Sequence, residues 1–361
     1  MAQDNAMTSQ PPVTLRDPLQ PSTERTIADV FWAAIPKQIA EAYWKFFTDE
    51  CRRALQNNGQ HVLAHTHQDI LDIIVSLKAN VSRDVVRARL RPKFTRKHPN
   101  ELSLMDRSID LAASLLLMMD FGHIQHGLSG RQRLHWIDGT LKDCVRLGVE
   151  RSPCLGHEGI RLQRSFTVLS LVRIAGLEIV PTTNLLDHLR LLQDDKKLYI
   201  FHHASFLKVQ TPEYVSTDLF CMTQTNVQSS LLPQDFVRET LNTLALLFPQ
   251  SDSAVRKWYS RLPAPFALDP EIMRCGYLKT DDRQIEKFVY WHDRMVMLKQ
   301  VYDEATPQTL SQWWYDRRNS VQWYTFWVAI MVLALTIIFG FIQSVTGIMQ
   351  VYAAFNQRSG V

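Results

Sequence analysis

Apolar residues along most of this chain recur at three and four positions, the period of an amphipathic helix. From Ser22, which with Thr23 offers a cap, Ile27, Val30, Phe31 and Ala34 share one face. Pro36 opens or kinks the next helix, which runs to about Gln56 with Ile39, Tyr43, Phe46 and Phe47 on one side and stops at NNG. The pattern continues through Asp69 to Ala79, Ser82 to Leu90 and Leu102 to Met119. The run LAASLLLMM in the last of these is too short to span a bilayer and reads as a core helix. After a loop from Gly127 to Gly139, helices are predicted near Thr140 to Leu147 and from Gly159 to Ala175, followed by a turn through GLEIVPTTN. Lys197 to Phe201 (KLYIF) is the best strand candidate, with no evident partner. Helices resume over Gln234 to Phe248, Ser253 to Tyr259 and Asp281 to Glu304. The expected class is mainly α: a helical domain with at most a minor strand near 197–201.

The periodicity ends abruptly near the C-terminus. Between Arg318 and Arg358 no residue is charged, and the 23 residues from Trp323 to Val345 are almost wholly apolar. As a helix they would measure roughly 34 Å, enough to cross a hydrocarbon core of roughly 30 Å. Trp323, Phe326, Trp327, Ile330, Leu333, Leu335, Ile338 and Phe341 are the expected anchor residues, and the near flank holds Trp313, Trp314, Tyr315 and Tyr324, rings that favour the interface. No glycine or proline lies between Pro307 and Gly340, which predicts a nearly continuous helix from about Thr309 through Val345. Past Val345 the helix can continue through GIMQVYAAF. Gly340 and Ser344 form a small-xxx-small pair that would let a second copy approach.

Arg317 and Arg318 precede the anchor and only Arg358 follows it, so the positive-inside rule leaves the large N-terminal part in the cytosol. The opening MAQDNAMTSQPPV has neither a basic n-region nor an apolar h-region, so insertion is expected to use the C-terminal helix, as in a tail-anchored protein. The weakly basic tail suits the endoplasmic reticulum or a membrane derived from it. The expected organisation is a disordered leader over 1–22, helical sections over 23–150 and 151–308, a juxtamembrane helix over 309–322, the anchor over 323–345 and a short tail over 346–361.

Forty Lys and Arg against 36 Asp and Glu leave a net charge of only +4, which gives no global argument for nucleic acid. The five cysteines are scattered without a C-x-x-C pair, as expected of reduced thiols. One local patch stands out: Arg83, Arg87 and Arg91 fall on one helical stripe beside Val86 and Leu90, which could meet anionic lipid head groups, nucleic acid or an acidic partner, against the reading of an ordinary solvated face. Its pairing with the preceding short helix has the outline of a helix-turn-helix.

Candidate chemistry is sparse. His65, His67 and Asp69 form H-x-H-x-D, the front half of a metallo-hydrolase motif, but Ile70 stands where a further histidine would complete it. A solvated helix start with Asp69 capping is the better reading. His123 with His126, and His202 with His203, could bind a metal or supply a base, yet neither pair brings a carboxylate or thiolate at a diagnostic spacing. Ser129 lacks the G-x-S-x-G elbow, and Cys154 has only His157 nearby. Phosphate-loop and dinucleotide fingerprints are missing, so no cofactor is expected.

Five stretches carry a resemblance: LLLMMDFG (Leu115 to Gly122), IAGLEIVPTTNLLDHLRLL (Ile174 to Leu192), LYIFHHASFL (Leu198 to Leu207), ETLNTLALLFPQ (Glu239 to Gln250) and the block from Trp291 to Ala329. Over roughly residues 100 to 355 the chain resembles a group of uncharacterised, C-terminally membrane-anchored proteins of filamentous fungi. The resemblance implies that the helical region and the anchor belong together, and it implies no reaction, cofactor or functional residue. Together these readings predict a single-pass membrane protein whose helical domain serves as an interaction or adaptor module, with the bilayer and other proteins as partners. The alternative is a membrane-bound hydrolase or metal-dependent enzyme with a site near His123, His126, His202 and His203.

Overall fold

The computed structural model describes residues 14–33, 39–94, 98–122, 130–150, 155–156, 159–211, 230–263, 268–306, 310–316, 318 and 320–358. They divide into two compact units. One holds the described residues up to Val172 and from Leu177 to Glu304; the other joins Arg173–Gly176 to the described residues from Ala305 onward.

The fold is mainly α. The first unit opens with α1 (Pro21–Trp32), α2 (Glu41–Ala54), α3 (His67–Lys78), α4 (Arg83–Leu90) and α5 (Glu101–Leu117). The apolar run in α5 makes it the centre of this half: α2, α3 and α4 all pack on it, and Ile109, Ala112, Ala113 and Leu115 are fully buried. Tyr43 of α2 is equally buried, and its hydroxyl donates to the Leu115 carbonyl at 2.7 Å, which satisfies a polar atom that would otherwise destabilise the core. Within the expected leader, residues 14–22 are described, and they pack on the domain. Thr14 bridges Thr66, the Leu15 amide donates to the His65 carbonyl, and the Leu15 side chain is buried. At NNG, Asn57 and Gly59 take left-handed φ, and a Cβ on Gly59 would lie 2.8 Å from the His65 ring.

After α6 (Leu141–Val149) and the short α7 (Val168–Arg173), the chain departs from the helical expectation. KLYIF is a strand, β3 (Lys197–Phe201), and it lies in the middle of a three-stranded sheet. β1 (Glu178–Thr182) pairs with it in parallel, Val180 opposite Tyr199, and β2 (Arg190–Leu192) pairs antiparallel, Leu191 opposite Leu198. Pro181 is tolerated because β1 is an edge strand that pairs on one side only. Asn184 ties the sheet to the helical half. Its side-chain carbonyl accepts from the Asp120 amide at 3.1 Å, and its amide group donates to the Gln132 carbonyl and the Asp187 carboxylate at 2.8 and 2.9 Å.

α8 (Ala204–Val209), α9 (Gln234–Leu247), α10 (Ser253–Tyr259) and α11 (His292–Glu304) complete the unit. Two expected helices are truncated for a shared reason. Ile160 and Leu162 pair with Ile285 and Arg283 through backbone hydrogen bonds, which draws both segments out of helical geometry. The Glu239 carboxylate then accepts from the amides of Val289, Tyr290 and Trp291 at 2.8, 3.1 and 2.7 Å, so α11 starts only at His292.

The second unit contains α12 (Leu310–Tyr315) and α13 (Ser320–Arg358). Here the expected continuous helix is corrected: regular helix stops at Tyr315 and restarts at Ser320. No glycine or proline is needed, because the Asp316 carboxylate accepts from the Arg318 amide at 3.1 Å, an Asx turn that competes with helical pairing.

Candidate membrane-facing site

Among the described residues one helix is long and apolar enough to cross a membrane, over Ser320–Ala353. The whole of α13 has 39 residues, roughly 58 Å against a hydrocarbon core of roughly 30 Å, so it extends past one bilayer thickness. The eight expected anchor residues fall into two groups. Leu333, Leu335, Ile338 and Phe341 are exposed, with Leu333 at 61% and Phe341 at 69%. Apolar side chains presented along a whole helix are incompatible with water and suited to acyl chains. The threonine hydroxyls are satisfied within the helix: Thr325 and Thr336 donate to the carbonyls of Val321 and Val332 at 2.9 and 2.8 Å, and Thr346 donates to that of Ile342.

Trp323, Phe326, Trp327 and Ile330 instead form a half-buried stripe at helical spacing. α12 folds back on it. Trp313 stacks on Phe326 with centroids 4.3 Å apart and an interplanar angle of 9°, and Trp314 meets Trp327 edge-on at 5.1 Å. Arg318 fixes the turn between the helices: its guanidinium bonds both Asp316 oxygens at 2.9 and 2.8 Å and also donates to the Ala305 carbonyl. Burial would raise the Asp316 carboxyl, but the bonds from Arg318 outweigh it and hold it below the usual carboxylate range. Of the two residues expected to signal topology, Arg318 is therefore ion-paired, and Arg317 lies outside the described residues.

Sequence reasoning missed Arg173 and Gly176, which belong to this unit although they are far away in the chain. The Arg173 guanidinium lies 4.3 Å from the centroid of the Tyr315 ring. Gly176 has φ +71°, and a Cβ there would stand 3.2 Å from Gln312 Nε2, so the turn sits close against α12. Nothing local in IAGLEIV marks such a contact.

The basic stripe requires a correction. Arg83 is 1% exposed, with Nε 3.1 Å from Asp106 and Nη1 2.7 Å from Asp110, and its guanidinium lies 4.7 Å from the Trp136 ring centroid. Arg87 bonds Asp106 and Asp84 at 2.7 and 2.5 Å. Only Arg91 of the three is exposed. Two of the three charges are therefore spent on carboxylates of α4 and α5, and the stripe is no free cationic face.

The histidines are also rearranged. Thr66 caps α3 in a reciprocal capping box with Asp69, but the expected solvated start is corrected at His67, which is buried and stacked on Phe47 at 5.9 Å. His202 and His203 are 0% and 1% exposed, against the aromatic core, with His203 5.5 Å from Phe201 and 6.1 Å from Phe46. Burial pushes the His202 imidazole down to about 3, and burial followed by the His202 neighbour pushes His203 well below its usual value. Both are held as neutral imidazoles, and His202 Nδ1 accepts from the Asp269 amide at 3.3 Å. His123, His126, Ser129, Cys154 and His157 lie outside the described residues. Among the described residues no three His, Cys, Asp or Glu side chains converge as metal ligands.

Comparisons with protein-family models, with curated proteins and with solved structures found no match.

Proposed function

We propose that this is a single-pass, tail-anchored membrane protein whose helical domain works in the cytosol as an interaction or adaptor module. The observation that carries the membrane part is α13, an apolar helix of sufficient length whose side chains are presented outward. The aromatic clasp at its start supports the placement, since tryptophan and tyrosine rings settle at head-group level. The cytosolic side is supported by Arg317 and Arg318 before the span, because orientation follows the count of basic residues and a neighbouring acid contributes little. The adaptor role fits a domain whose charged residues tie its own elements together, as Arg83 does with Asp106 and Asp110. The enzyme alternative has less support, since His202 and His203 are buried among rings.

The endoplasmic reticulum is the proposed destination, the fungal anchored group the proposed kinship, and close approach of two copies at Gly340 and Ser344 the proposed self-contact. A glycosylation acceptor appended after Val361 is expected to be modified in microsomes, and one placed before Ser22 is not. The reverse pattern would sink the orientation, and release of the full chain by alkaline extraction would sink the anchor.

A further inference from the structure

We propose that Arg173 is a lipid contact: the fold delivers its guanidinium to the aromatic rim at the start of the anchor, where it takes the phosphate of an anionic phospholipid. This rests on the membrane reading above and names a ligand within it. The segment Arg173–Gly176 is built into the unit that contains α12 and α13, and two contacts hold it there, Arg173 over Tyr315 and Gly176 beside Gln312. The rim is open: Trp314 is 52% and Tyr315 43% exposed. The Arg173 guanidinium carbon lies 4.3 Å from the Tyr315 centroid and the residue is only half-buried, and a guanidinium presents a donor fork whose geometry matches phosphate oxygens.

Charge points the same way. Arg318 is engaged by Asp316, whereas Arg173 has no carboxylate partner among the described residues. Among the described residues of the unit's head, Arg173 and Arg318 stand against Asp316 alone, so Arg173 is the excess cation. A net positive aromatic rim at head-group depth is complementary to an anionic leaflet.

The test uses the full-length protein in nanodiscs of phosphatidylcholine alone or with phosphatidylserine added, read by hydrogen exchange across residues 310–316. Protection is expected to rise in the acidic nanodiscs by about fivefold, the weight of one cation at an anionic surface, and to fall back at high salt. Arg173→Gln should remove the difference between the two lipids, and Arg173→Lys should keep most of it. A purely intramolecular clamp predicts that Arg173→Gln loosens α12 equally in both lipids, and that result would overturn the proposal. So would a rise of the same size when glycerol phosphate is added to neutral nanodiscs, which would make the ligand a soluble phosphate. Equal protection of the wild-type chain in both lipids, with the chain resistant to alkaline extraction, would overturn this proposal alone; extraction of the chain would remove the membrane reading together with it.

Discussion

Arg83 shows how a residue's surroundings can reverse the reading of its charge. With its guanidinium inside the domain, removing it would strand the Asp106 and Asp110 carboxylates, and breaking such a pair costs about 3–5 kcal/mol. Arg83→Ala is therefore expected to lower the denaturation midpoint of the detergent-solubilised chain steeply, whereas Arg83→Met combined with Asp106→Asn and Asp110→Asn should lose much less. Equal losses would show that packing, and not an unpaired charge, sets the cost. The buried imidazoles make a pH argument. His188 and His202 are pushed down to about 3, His188 by burial and then by Arg294, while in the unfolded chain a histidine titrates near 6.5. Between those values the unfolded state binds more protons, so stability is fully present above about 6.5 and declines as pH falls toward about 3. The slope approaches about 1.4 kcal/mol per pH unit for each histidine. His203→Phe, which suits a ring site between Phe46 and Phe201, should flatten the profile. An unchanged slope would show that His203 does not contribute.

At the scale of elements, short polar signals decide where helices begin and end. Thr66→Ala removes half of the capping box on α3 and is expected to lower stability by about 1 kcal/mol, a loss that thermal melts would detect. The break before α13 depends on the Asp316 turn and on the rings across it. A double-mutant cycle with Trp313→Ala and Phe326→Ala should give a coupling of about 0.5–1.5 kcal/mol, the range for aromatic pairs beyond their area burial. Additive effects would mean that α12 does not lean on α13 through this stack. A spin-label pair on Gln312 and Gln322 provides a second check: Asp316→Leu should lengthen the separation by letting the helix run through.

Over the whole molecule, thiol accessibility reports how protection is distributed. Cys51 is buried, and burial followed by the Glu50 charge raises its thiol far above the usual range; burial raises Cys144 to about 11 and Cys275 to about 12, and both are partly accessible. Among these three thiols, alkylation of the native chain should therefore be slow, and slowest at Cys51, which should react only on global unfolding. Peptide-resolved mass spectrometry would decide it, and early labelling of Cys51 would mean that α2 opens separately.

Patterns within a few turns of chain were readable from the residues alone. The 3.6-residue period marked the helices at α2, α3, α5 and α9, uninterrupted apolarity marked α13, and the β-rich run KLYIF marked β3, because each signal is set by which side chains fall on one face. Pairing over distance was not readable. The partners of β3 are short and one contains Pro181, the amides ahead of α11 are claimed by Glu239 on another helix, and Arg83 owes its burial to two carboxylates of α5. The same holds for the candidate site. The sequence by itself determined that this chain carries a membrane-spanning length of apolar helix, since length and hydrophobicity add up residue by residue. Only the tertiary structure decided that the aromatic residues before it fold back as a clasp and that Arg173 joins them, because a contact between segments far apart in the chain depends on how the intervening elements pack.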